Sequence, residues 1–117
     1  MIYTGYYAKI KTYLDNGLIP IAISGEAPIW YKGLHWRFLA PSYDIFYKWK
    51  SGLIDDKGYV DRFIPERLEK LDKSNLKQQL QAISNPILLC YEKDGFCHRH
   101  IVADWIKQNL NLDVKEF

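Results

Sequence analysis

The sequence predicts a small three-layer α/β domain, a short, mainly parallel sheet flanked by helices. Three observations carry that expectation. Strand-like apolar runs alternate with stretches of helical periodicity. One run, Ile87-Leu88-Leu89-Cys90, is apolar at every position, the pattern of a strand buried on both faces. And 117 residues, 48% of them hydrophobic and 26% charged, suffice for one hydrophobic core but not two, so a single domain over residues 1–117 is expected.

Ile2 to Thr4 opens the chain with β-branched and aromatic residues and reads as a first strand. Gly5 to Asp15 holds a short helix, closed by the turn pair Asn16-Gly17. Leu18 to Ile23 is an apolar second strand; Pro20 inside it suits an edge or a bulge better than a centre. Gly25 to Pro41 reads as irregular. Ser42 is a natural N-cap for a helix running to Lys50, and Gly52 stops it. A second helix begins at Asp55 or Asp56, with Val60, Phe63, Ile64, Arg67, Leu68 and Leu71 at helical spacing; Pro65 should kink or restart it. Ser74 caps a third helix whose apolar face is Leu76, Leu80 and Ile83. Asn85-Pro86 ends that helix, and the Ile87–Cys90 strand follows. A last helix spans His98 to Asn109, with Ile101, Val102, Trp105 and Ile106 as its core stripe, and Leu112 to Phe117 adds a strand.

The net charge of +2 is too small for an electrostatic nucleic-acid footprint by itself, because Lys and Arg are interspersed with acids. The first residues, MIYTGYYAKIK, lack the apolar segment of a signal peptide, and no apolar run approaches the ~18 residues that span a bilayer. The expectations are a cytoplasmic protein with no membrane partner and no located oligomer interface. Reduced thiols at Cys90 and Cys97 follow, with no structural disulfide.

Chemistry concentrates in CYEKDGFCHRH, residues Cys90 to His100. Cys90 ends a predicted central strand, and Cys97, His98, Arg99 and His100 open the next helix. Ligands of open α/β sheets bind beyond the carboxyl ends of the strands. A helix N-terminus there offers free backbone N–H groups and the positive end of a dipole, which favours phosphate. Arg99 can add a bidentate anion contact. Cys97, at the helix start, is the better placed nucleophile. His98 or His100 can move protons, with Asp104 four residues on to orient His100. Plainer alternatives stand beside each role: Cys90 as a small core residue, His100 and Asp104 as a surface contact, Arg99 as a partner of Glu92 or Asp94.

Cys90, Cys97, His98 and His100 are also four plausible zinc ligands. Residues two apart on a helix diverge, which argues against using all four, and a pair of cysteines two residues apart is absent. No metal and no cofactor is therefore expected. A phosphatase-type thiol loop fits poorly: Cys90 to Arg99 is too long, with one glycine, and Cys97 to Arg99 too short.

The second feature is the aromatic stretch from Pro28 to Trp49. Trp30, Tyr31, His35 and Trp36, with Lys32 and Arg37 between them, can stack on a base and hold its phosphate. Tyr43, Phe46 and Trp49 have helical spacing and read as core.

LLCYEKDGFCHRHIVADW (Leu88 to Trp105) resembles the signature of the domain of unknown function 488 (DUF488) family: a cysteine at a strand end, a short acidic loop, then Cys-His-Arg opening a helix. WYKG (Trp30 to Gly33), LAPSY (Leu39 to Tyr43) and MIYTGYYAKI are similar to the shorter members, so the resemblance covers nearly the whole chain. It implies a compact α/β fold and a site at Cys90, Glu92, Cys97, His98 and Arg99. It implies no reaction, and His100 lies outside its shared pattern. The leading expectation is an enzyme or ligand-binding protein for a small phosphate-bearing molecule, a nucleotide or a nucleic-acid end. Catalytic work falls to Cys97, His98, Cys90 and Glu92. Binding falls to Arg99, His100, Trp30, Tyr31, His35 and Arg37. The rivals are an interaction module built on the aromatic loop and a metal protein using Cys90, Cys97 and His98.

Overall fold

Five parallel strands form one sheet in the computed structural model, which describes all residues from Met1 to Phe117. They are β1 (Ile2–Tyr6), β2 (Ile19–Ala22), β3 (Leu34–His35), β4 (Pro86–Cys90) and β5 (Val114–Glu116), in the order β3-β2-β4-β1-β5. The helices are α1 (Ile10–Asp15), α2 (Tyr43–Lys50), α3 (Asp56–Glu66), α4 (Lys73–Ala82) and α5 (His98–Leu110). No helix is long and apolar enough to cross a membrane.

The uninterrupted apolar run does what its composition demands. β4 is central, pairs with β1 and β2, and is buried along its length. Its side chains alternate between two cores. Leu88, with Ile21, Ile23 and Val114, packs under α2 to α5, where Ile45, Phe63, Leu80 and Ile106 close the larger core. Ile87 and Leu89 face the opposite way, against Tyr13 of α1, Leu18 and Tyr7. The result is the expected three layers, with the helices unequally shared.

Several local expectations shift for identifiable reasons. Pro20 lies in a strand with neighbours on both sides, not at an edge. It is tolerated because Ile19 and Ile23 donate to Asn85 and Leu89 on the β4 side, while β3 pairs only with Ile21 and Ala22, so no bond is asked of the proline nitrogen. α4 begins earlier than Ser74 suggests: the carboxylate of Asp72 accepts from the Asn75 N–H at 3.0 Å and takes the cap. Ser42 and Asp55 cap α2 and α3 as their types predict. Pro65 sits at the end of α3, and the chain restarts as a single 3-10 turn at Leu68–Lys70. β1 runs on to Tyr6 through Gly5, where any Cβ would overlap the Tyr13 ring, so only glycine lets α1 pack this closely on the sheet. β3 lies in the stretch expected to be irregular; two residues are too few to show a period.

The edge strand β5 is tied to α5 by an ion pair whose arginine is buried and whose carboxylate is partly exposed. Arg99 is 1% exposed, and its Nε and Nη2 donate to the two Glu116 carboxylate oxygens at 3.1 and 2.9 Å. The Thr4 hydroxyl donates to the same carboxylate at 2.6 Å. Burial pushes the Glu116 pKa up, but the hydrogen bonds from Arg99 and Thr4 outweigh it and hold the carboxyl below its ordinary 4.5. The unfolded carboxyl therefore takes up protons first as the pH drops, so the pair's contribution is complete above about pH 4.5 and disappears as the pH falls through the depressed folded value. Glu116→Gln should lower the unfolding free energy at pH 7 by about 1–3 kcal/mol. It should also flatten the loss of stability below pH 4.5. Urea unfolding across pH 3–7 checks both, and an unchanged midpoint at neutral pH would refute the role given to the pair.

Candidate functional site

Cys90 is the last residue of β4 and Cys97 the N-cap residue of α5. The intervening loop turns back at Gly95, whose φ of +80° suits glycine. Strand end and helix start thereby converge, and the sulfurs of Cys90 and Cys97 are bonded, with their Cα atoms 7.2 Å apart. This corrects the expectation of two separate reduced thiols. Compartment arguments weigh averages over proteins, whereas here the turn itself brings the two sulfurs into contact.

The sulfurs line a cavity of about 610 Å³ beyond the carboxyl ends of β2 and β4. That volume is in the range of small-molecule sites. His98 lines it too, while its Nε2–H donates to the Ile23 carbonyl at 2.6 Å. A carbonyl only accepts, so the proton sits on Nε2 and the lone pair on Nδ1. Burial pushes the His98 pKa down to about 4; the Ile23 bond opposes this and the Arg99 charge adds to it. The imidazole is neutral at physiological pH and a weak base. Of the predicted set, Glu92 and Arg37 also line the cavity, the latter anchored by its Nε–H on the Gly25 carbonyl at 3.0 Å.

Arg99 takes a different place from the one expected. It is buried behind the cysteines and donates to the Glu92 carbonyl, to the Lys93 carbonyl at 3.2 Å and to the Cys90 sulfur at 3.2 Å, besides Glu116. Its guanidinium is engaged by the protein on every side and faces the sulfur, not a ligand. His100 and Asp104 are exposed on α5 and do not line the cavity.

The aromatic stretch divides in a way its composition does not reveal. Trp30 is half exposed outside the cavity. Tyr31 packs edge-on against Tyr7 on the far face of the sheet, and His35 donates to the Ser24 carbonyl. The cavity wall is built instead from Tyr43, Phe46 and Trp49 of α2, with Tyr59 and Phe96. Trp49 is fixed by its Nε1–H on Asp56 at 2.8 Å and lies 5.4 Å from the Phe96 ring and 5.7 Å from that of Tyr59. Helical spacing reads Tyr43, Phe46 and Trp49 as core, but Tyr43 is 79% and Phe46 42% exposed: the face they share lines the cavity and is not covered by other side chains. Burial raises the Tyr59 pKa, and the Glu92 charge raises it further, so its hydroxyl stays protonated. Lys50 and Glu26 complete the rim.

The arrangement offers a sulfur pair and a neutral imidazole on the floor, aromatic rings on the wall, and cations and carboxylates at the mouth. The donor atoms of Cys90, Cys97 and His98 lie within 4.8 Å of one another, so three of the four zinc ligands considered do converge, despite the missing paired-cysteine motif. A family model described as the active DUF488-N3 subclade matches residues 20–110. No curated protein and no solved structure matches the chain.

Phe96→Ala should remove the ring that closes the wall between Trp49 and Tyr59. About 2 kcal/mol of stability should be lost, less than for a fully buried ring. Tryptophan emission should shift to the red as Trp49 meets water; urea unfolding followed by fluorescence reads both, and unchanged emission would contradict the packing.

Proposed function

The chain belongs to the DUF488 family, and on that premise we propose that it binds, and acts on, a small phosphate-bearing molecule in the cavity beyond β2 and β4, a nucleotide or a nucleic-acid end. One observation carries the reading: a single cavity joins an aromatic wall, two rim cations and a Cys/Cys/His floor. Phe46 and Trp49 stack on the base. Arg37 and Lys50 meet the phosphate, helped by the backbone N–H groups that open α5. Once the sulfur bond is reduced, the Arg99 guanidinium 3.2 Å from Cys90 favours thiolate charge there, so Arg99 is a positioning residue and Cys90 the nucleophile with the most support. Cys97 is its redox partner. His98, through Nδ1, accepts a proton only weakly, and Glu92 faces the ligand from the mouth.

A second reading, an interaction module, draws on Ile29, Trp30 and Leu34, exposed together around the edge strand β3. Concentration-dependent light scattering that Trp30→Ser abolishes would favour it.

Thermal-shift titration with nucleoside mono- and triphosphates, with and without reductant, tests the main reading. Binding should weaken by about tenfold in Phe46→Ala and in Arg37→Ala, the loss of one stacking or one charged contact. Trp30→Ala, outside the cavity, should bind like the wild type. If no phosphate compound shifts the wild type in either redox state, the reading is wrong.

A further inference from the structure

We propose that the reduced Cys90, Cys97 and His98 form a three-ligand site for a thiophilic divalent cation, Zn²⁺, whose fourth coordination position opens into the cavity. The convergence of the three donors carries the inference. They come from the end of β4 and the first turn of α5, and their ligand atoms lie within 4.8 Å of one another. Four-coordinate zinc, with bonds of about 2.3 Å to sulfur and 2.0–2.1 Å to nitrogen, holds such donors roughly 3.5–3.8 Å apart. Small side-chain movements reach that spacing once the sulfurs separate.

The backbone suits two thiolates held apart. The Cα atoms of Cys90 and Cys97 are 7.2 Å from one another, beyond the span of about 4.4–6.8 Å usual for a disulfide. The outer contacts match those of ligating residues. His98 donates its Nε2–H to the Ile23 carbonyl, which fixes the tautomer and presents Nδ1 as the metal-binding nitrogen. Arg99 donates to the Cys90 sulfur at 3.2 Å and is itself balanced by Glu116. Two thiolates then neutralise one divalent cation, and no net charge is buried.

The chemistry balances in two steps. A dithiol reductant exchanges with the Cys90–Cys97 bond, is oxidised to its own disulfide, and leaves two thiols. Zn²⁺ then displaces both thiol protons to solvent and binds two thiolates and the imidazole. The three protein ligands leave a fourth position, the pattern of catalytic zinc sites, where water or a ligand oxygen is polarised. Only the occupant of that fourth position rests on the nucleotide reading; the metal site does not.

The test is anaerobic titration of the reduced, desalted protein with Co²⁺ as a spectroscopic probe, followed by displacement with Zn²⁺. One equivalent should bind, with thiolate-to-cobalt charge-transfer absorption and tetrahedral d–d bands, and Zn²⁺ should bleach both. Cys90→Ser and Cys97→Ser, nearly isosteric, should each weaken binding by roughly a hundredfold or more and reduce the charge-transfer band, and His98→Ala should weaken it at least about tenfold. His100→Ala, exposed and outside the cluster, should change nothing. Absence of the cobalt bands in folded wild type overturns the proposal, as does undiminished binding in the serine variants. Nucleotide binding without metal binding would sink this inference and leave the nucleotide reading standing. Metal binding without nucleotide binding would do the reverse.

Discussion

A single buried guanidinium organises one end of this molecule. Arg99 reaches from the first turn of α5 to the carboxylate of Glu116 on β5, to the carbonyls of Glu92 and Lys93, and to the sulfur of Cys90 on β4. A charge sealed from water needs a partner for each of its donors, because an unpaired one in a low-dielectric interior costs several kcal/mol. Satisfying those donors obliges the loop after β4 to curl over the guanidinium, the edge strand β5 to dock beside β1, and Cys90 to stand next to a positive charge. The Tyr6 ring, 5.9 Å from the guanidinium carbon, covers one of its faces.

The site follows from where that anchor sits. With every strand parallel, the carboxyl ends of β2 and β4 lie at one edge of the sheet; the segment after β2 packs Ala27 and Tyr31 on the Tyr7 side, while the loop after β4 leads to α5 on the other. The gap between diverging loops is the cavity, and α2 and α3 roof it with rings. Phe96 and Trp49 lock the loop before α5 to that roof, so the sulfurs on the floor and the aromatic wall are held by one packed unit.

The cysteines are bonded here, and the readings proposed for them add two further chemistries at the same atoms: a free thiolate beside Arg99, and thiolate ligation together with His98. Each is favoured by a different condition, oxidation, reduction, or reduction with metal present. With the sulfurs bonded, Ile23 holds the imidazole tautomer and Arg99 donates to the Cys90 sulfur.

Much of this was legible in the residues alone. The all-apolar Ile87–Cys90 run implied a central strand, Ser42 and Asp55 announced helix starts, and Cys90, Cys97 and His98 were grouped around a strand-to-helix junction as a candidate site, because local periodicity, capping and strand-end placement are short-range properties. Long-range geometry decided the rest. Arg99 is one residue from His98 in sequence, yet its long side chain turns into the interior because Glu116, 17 residues away, is there to receive it. Trp30 and Tyr31 lost the cavity to Tyr43, Phe46 and Trp49 because the segment before β3 sets Tyr31 against Tyr7 on the far face and leaves Trp30 exposed, while α2 lines the cavity beyond the strand ends. Which residues are polar, apolar or reactive is written in the sequence; which of them share a cavity depends on the path of the chain between them, and only the folded sheet sets that path.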